Sequence, residues 1–165
     1  MRHLAPLAPM LALAAFAPAA AAQVPAEDGR LAQVRAVHGG AGPWAVVGYR
    51  MGERALGDLD LPRHSFALKA VHRCPAEVQY SCIADGLQAA TGASPGKMNL
   101  AVEAAPLGAM QTVVRDAKSG KSLTFTVKPE LARSIQDLPR ERLEAEGRRV
   151  LALPDEALFD VVRGD

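Results

Sequence analysis

A chain of 165 residues that is 49% hydrophobic and 22% charged has a globular composition, which excludes wholesale disorder and a coiled coil. Nineteen Lys and Arg balance eighteen Asp and Glu to a formal net charge of +1. No basic tract stands out, so nothing points towards nucleic acid.

Arg2 and His3 give a short cationic start, and an apolar run over residues 4–22 follows. It ends in Ala20-Ala21-Ala22-Gln23, small residues at the places a signal peptidase reads. A run approaching about 20 apolar residues could also span a bilayer. This one is mostly Ala and is interrupted by Pro6, Pro9 and Pro18, which favours cleavage. The expectation is a cleavable signal peptide over residues 1–22, a periplasmic location and no membrane association afterwards. The remaining residues suffice for one domain with its own core.

Residues 23–36 read as a polar tether and the start of a helix, with Leu31, Val34 and Val37 at helical spacing and Gly39-Gly40 as the stop. Pro43 suits the first position of a second helix, in which Trp44, Val47, Gly48, Met51 and Ala55 share a face and Gly57 closes the run. Residues 66–72 alternate as a strand does. Ser81 is the expected N-cap of a helix over 82–91, stopped by Gly92. Leu100 and Val102 suggest a further strand. Residues 110–115 and 123–128 form a hairpin around Ser119-Gly120, with Leu123, Phe125 and Val127 facing inward. After Pro129, residues 131–135, 140–150 and 156–162 read as helices rich in Arg and Glu, a surface or homodimer contact. The order predicts an α+β fold. In it a small antiparallel or mixed sheet packs with helices, residues 37–128 form the core domain, and residues 129–165 form a helical C-terminal extension.

Chemistry concentrates in two glycine-rich stretches, residues 37–52 and 80–100. Neither is a phosphate loop, because the first lacks a Lys-Ser/Thr ending and GASPGK in the second lacks the following hydroxyl residue. In the second stretch Cys82 and Asp85 share one helical face and Ile83, Leu87 and Ala90 another. Cys74 and Cys82 lie close enough in an exported chain for a small-loop disulfide, or leave one reactive or metal-ligating thiol. Trp44 either fills volume at the helix start or walls a ligand pocket. Arg50 suits a partner such as Asp85, a bound anion, or plain solvent exposure.

Together the two stretches resemble the E-subunit family of formylmethanofuran dehydrogenase. Its first motif, His-Gly-His-x-Cys-Pro-Gly followed by Gly-Tyr-Arg-Met-Gly, is matched at His38-Gly39, Pro43 and Gly48-Tyr49-Arg50-Met51-Gly52. Its second is matched at Cys82, Asp85, Gln88, Thr91-Gly92 and Gly96-Lys97-Met98-Asn99-Leu100. The similarity runs over residues 37–127. Family members with the full motif resemble zinc proteins with thiolate and imidazole ligands, but here the second motif His is Gly40, the Cys is Gly42, the following Gly is Trp44 and a later Cys is Ala93. A structural zinc site wants about four such ligands and a catalytic one three.

The resemblance and the residues together imply a homodimeric binding protein with its site between the His38 loop and the Cys82 helix. Ligand-binding candidates are His38, Trp44, Tyr49, Cys82, Asp85, Lys97 and Asn99, with the loop over residues 92–99 closing the site. A rebuilt zinc or other transition-metal centre would use His38, His72 and Cys82, helped by Asp85. The alternatives are a thiol-dependent enzyme with Cys82 as nucleophile and His38 as base, and a partner-binding module. The family name does not itself imply formylmethanofuran chemistry in a small exported domain.

Overall fold

In the computed structural model, which describes residues 28–165, the first element is α1, Gly29–His38. The signal-peptide expectation for residues 1–22 lies outside the described residues. Asp28 caps α1 by accepting from the Arg30 amide, and Gly39, at φ 83°, ends it in the left-handed region that glycine enters without cost. Pro43 then starts α2, Pro43–Asp58, as its position predicts. β1, Leu68–Cys74, leads to α3, Val78–Thr91, and then to β2, Leu100–Ala104. The helix α3 begins four residues before its expected start, with Glu77 at the N-cap instead of Ser81. The hairpin is β3, Gln111–Asp116, with β4, Ser122–Val127. The Asp116 carboxylate holds its turn by accepting from the Lys118 and Ser119 amides and the Ser119 hydroxyl.

The C-terminal third departs from expectation. α4, Pro129–Ile135, and α5, Leu143–Ala152, are helical as predicted. The expected helix over 156–162 is instead one turn, α6, Asp155–Leu158, running into a strand, β5, Phe159–Gly164. β5 pairs antiparallel with β4, Phe159 opposite Val127 and Val161 opposite Phe125. The local pattern of Glu, Ala and Leu favours helix, but an unpaired β4 and the alternating Phe159 and Val161 decide for strand; tertiary context overrides propensity. Phe159 stacks edge-on against Phe125 with ring centroids 5.2 Å apart, so the C-terminal segment is part of the core.

The finished sheet has the order β2-β1-β3-β4-β5, with β1 and β2 parallel and the other pairs antiparallel. This is a mixed sheet with helices, an α+β fold. α2 lies at the centre of the core, with every residue from Pro43 to Tyr49 buried. It crosses α3 through two glycines. A Cβ on Gly48 would fall 2.7 Å from the Ile83 carbonyl carbon, and one on Gly86 would fall 2.6 Å from the Tyr49 amide nitrogen. Only hydrogen at both positions lets the backbones approach so closely.

α5 covers the opposite flank of α2. Arg50 ties the end of α5 down, donating to the Leu151 and Leu153 carbonyls at 2.8 Å and to Asp155 at 2.6 Å. Its partner is therefore not Asp85 and not solvent. Polar groups taken out of water are held by hydrogen bonds, and this guanidinium follows the rule.

Candidate functional site

Three chain segments converge near His38. The first is the loop after α1, which is clamped from α5. Glu144 accepts from the Ala41 amide at 2.9 Å and pairs with Arg35, so one carboxylate joins α1, the loop and α5. Gly147 of α5 meets the Ala41 carbonyl so closely that a Cβ would fall 3.0 Å from its carbon. The second segment is the first turn of α3, with Val78, Gln79 and Cys82. The third is a strap between α4 and α5 that carries Ile135, Asp137, Leu138 and Leu143. Gln79 ties it to α3, donating to Asp137 Oδ1 at 2.9 Å and accepting from the Asp137 amide at 3.1 Å.

These segments enclose a cleft of about 480 Å³, floored by Pro43 and Trp44. Its walls are mainly apolar, with His38, Cys82, Gln79, Glu77 and Asp137 as polar groups. Few convergent polar groups in an apolar concavity of this size is the usual make-up of a small-molecule site. A second hollow along Gly39, Gly40 and Arg140 shares His38, Gly42, Leu138 and Leu143 with the first, so the two form one groove.

His38 contacts Asp85 through Nδ1, 2.8 Å from Oδ2. A carboxylate only accepts, so Nδ1 carries the proton. Nε2 then has no partner among the described residues. From the helical face that the sequence assigns to Cys82 and Asp85, Asp85 bonds His38 and Cys82 lines the cleft with it. Trp44 sits at the start of α2. It is buried, with its ring edge-on to Tyr80 at 5.2 Å, and it lines the cleft. Its Nε1–H has no hydrogen-bond partner among the described residues.

Cys82 donates to the Val78 carbonyl at 3.0 Å, inside its own helix. Burial first, and the Asp85 charge second, push its thiol pKa up to about 11. Both cysteines are free, and burial also raises the pKa of Cys74. At pH 8 a thiol of pKa 11 is ionised in about one molecule in a thousand, against about a quarter for an ordinary cysteine. Alkylation of Cys82 by iodoacetamide at pH 8, followed by intact-mass measurement, is expected to run about a hundredfold slower than that of an unhindered thiol. A rate matching a free thiol would contradict this environment.

The other predicted residues lie elsewhere. His72 is fully buried in β1, with Nε2–H donating to the Tyr80 carbonyl at 3.1 Å and Nδ1 accepting from the Thr112 hydroxyl at 2.8 Å. Desolvation holds its pKa down at about 4. With both ring nitrogens engaged it has none to offer a metal. Tyr49 packs between α1 and α2 and donates to Gln33. Lys97 and Asn99 sit beyond the far end of α3, about 20 Å along the helix from its first turn. Lys97 donates to the Gly92 carbonyl at 2.7 Å, and Asn99 accepts from the Ser94 amide at 2.9 Å. They lock the 92–99 loop in place of closing the cleft.

Among the described residues, no three His, Cys, Asp or Glu side chains come together as a metal-binding set. Zinc does not fit the donors that the described residues bring together: His72 has both ring nitrogens engaged, and Gly40 and Gly42 bring no side chain. Both glycines have room for a Cβ. A Cβ on Gly40 would have its nearest neighbour at 3.7 Å and one on Gly42 at 3.9 Å.

The sequence reading missed the strap and Glu144. Ile135, Leu138 and Leu143 were visible as apolar residues around Pro139 in an Arg- and Glu-rich stretch, a pattern that asks for a buried surface nearby.

No match is found among curated proteins. A solved structure, that of a tungsten formylmethanofuran dehydrogenase E-subunit (FmdE)-like protein from Syntrophus aciditrophicus, shares the fold with a TM-score of 0.52 and 20% identity. The match covers 81% of this chain and 69% of that one. The family model described as FmdE, molybdenum formylmethanofuran dehydrogenase operon, matches residues 37–160, from the His38 loop into β5. The chain belongs to the FmdE family.

Proposed function

We propose that this FmdE-family chain is an exported binding protein that takes a small, largely apolar organic ligand into the cleft beside His38. The observation that carries the reading is the cleft itself: about 480 Å³, apolar walls, and a histidine held in one tautomer by Asp85 at its edge. Asp85 orients His38 so that Nε2 is left to accept a hydrogen bond from the ligand. Cys82 contributes a soft, protonated surface. The donor set favours an organic ligand over the metal ion that the family resemblance suggests. A thiolate nucleophile loses support from the same facts, since activation needs a lowered pKa or an adjacent base. Cys82 instead spends its proton on the Val78 carbonyl. Export rests on the sequence of residues 1–22.

The test uses a neutral apolar fluorophore, N-phenyl-1-naphthylamine. Saturable binding to the purified protein is expected, weakened about tenfold or more in Cys82→Trp, where a bulky ring occupies the cleft; tenfold corresponds to about 1.4 kcal/mol. Circular dichroism confirms that the variant is folded. Absence of saturable binding, or equal binding by the folded variant, would overturn the reading.

A further inference from the structure

The charges along the groove are arranged by sign. At the cleft end, Glu77 and Asp137 are both exposed lining residues, and the Gln79 amide reaches both, at 3.5 Å and 2.9 Å. Among the described residues, no Lys or Arg lines that end. His38 is matched there by Asp85. Along the second hollow, Glu144 is neutralised by Arg35 and by the Ala41 amide. Arg148 also lies 3.8 Å from Glu144, and of the charged residues that line this hollow the one without an ion-pair partner among the described residues is Arg140, which is exposed. One groove thus carries unneutralised negative charge at one end and positive charge at the other. Apolar Trp44, Leu138 and Leu143 lie between, and His38 sits where the two hollows join.

Asp137 and Arg140 belong to the same strap, three residues apart. Their backbones are therefore no more than about 10 Å from each other. An extended chain of two or three residues spans roughly 7–10 Å.

We propose that the groove's ligand is a zwitterion with an apolar body, in chemical class a short apolar peptide. Its ammonium end faces Glu77 and Asp137, its carboxylate end faces Arg140, and its side chains lie over Trp44 and Leu138. The peptide's own N–H supplies the donor that His38 Nε2 accepts. This inference rests on the cleft being a binding site, and the experiment keeps the two apart.

Leu-Leu and Leu-Leu-Leu are titrated against bound N-phenyl-1-naphthylamine, alongside the N-acetylated and C-amidated forms of each. Displacement by a free peptide is expected, weakened about fivefold when either end is blocked, the effect of losing one exposed ion pair. Glu77→Gln together with Asp137→Asn is expected to abolish the penalty for acetylation and leave that for amidation, and Arg140→Gln the reverse. Equal displacement by free and blocked peptides, or no displacement by any of them while the fluorophore still binds, would overturn the zwitterion and leave the cleft reading standing. A fluorophore that does not bind at all would overturn both.

Discussion

Gly86→Ala is expected to destabilise the protein by about 3 kcal/mol or more, and to leave much of it unfolded at 37 °C. The added methyl would fall 2.6 Å from the Tyr49 amide nitrogen and 2.8 Å from the Ala45 carbonyl carbon. Both neighbours are backbone in the most buried helix of the chain, so neither can rotate away as a side chain could. Overpacking a tight core costs about 1–3 kcal/mol where side chains absorb it, and more where backbones must part. Gly48→Ala makes the reciprocal clash with Ile83 and is expected to behave alike. Gly57→Ala is the control. It lies in the same helix α2 with nothing within 4 Å of the new Cβ, and is expected to be neutral or stabilising by up to about 1 kcal/mol. Urea unfolding of the three variants reads the difference. A loss below about 1 kcal/mol in Gly86→Ala would mean that α2 and α3 slide past each other freely, contrary to the packing described.

The second large effect is on acid stability. His72 titrates near 6.5 when unfolded and near 4 when folded, because burial disfavours its cation. Between these values the unfolded chain binds more protons than the folded one. The stability that depends on neutral His72 is therefore complete above about pH 6.5 and is lost as pH falls towards 4. The shift corresponds to about 3 kcal/mol over the whole window, of which about 2 are lost by pH 5. Desolvation raises the pKa of Glu53, which therefore acts with the opposite sign, but it is common to wild type and variant. Asp58, Asp116 and Glu144, whose pKa values are lowered, release their stability at more acid pH. His72→Gln keeps an amide able to meet Tyr80 and Thr112 but does not ionise. The variant is expected to lose about 2 kcal/mol less than wild type between pH 7 and pH 5, by urea midpoints at the two pH values. Parallel losses in both proteins would show that another group carries the acid sensitivity.

Local signals were legible where one residue type answers one backbone demand. Pro43 opened α2, Gly39 and Gly92 closed helices in the left-handed region, and Asp116 to Lys121 turned the hairpin. The Cys82–Asp85 face was legible because helical periodicity alone places both side chains. β5 was hidden, since its identity depends on β4 lacking a partner, a fact more than thirty residues away from Phe159. Lys97 and Asn99 entered as ligand candidates through the motif they match, and polar residues beside glycines suit both a binding loop and a self-locking one. Only the positions of Gly92 and Ser94 in space separate the two cases. Arg50 could not be assigned from its helix, as its three acceptors come from residues 151–155. The cleft itself was half legible: two of its walls were in the motifs, and the third is a strap with no motif.

Gly40 and Gly42 give the 38–42 loop a history that it can run in either direction. Neither has a positive φ, and the space beside each is already open. The clamp on this loop runs through the Ala41 amide and carbonyl, so it rests on backbone atoms and not on the side chain of either flanking residue. A lineage could therefore gain or shed imidazole and thiolate at these two places by single codon changes without disturbing the scaffold. Change in the residues at these two places is thus separable from the integrity of the fold.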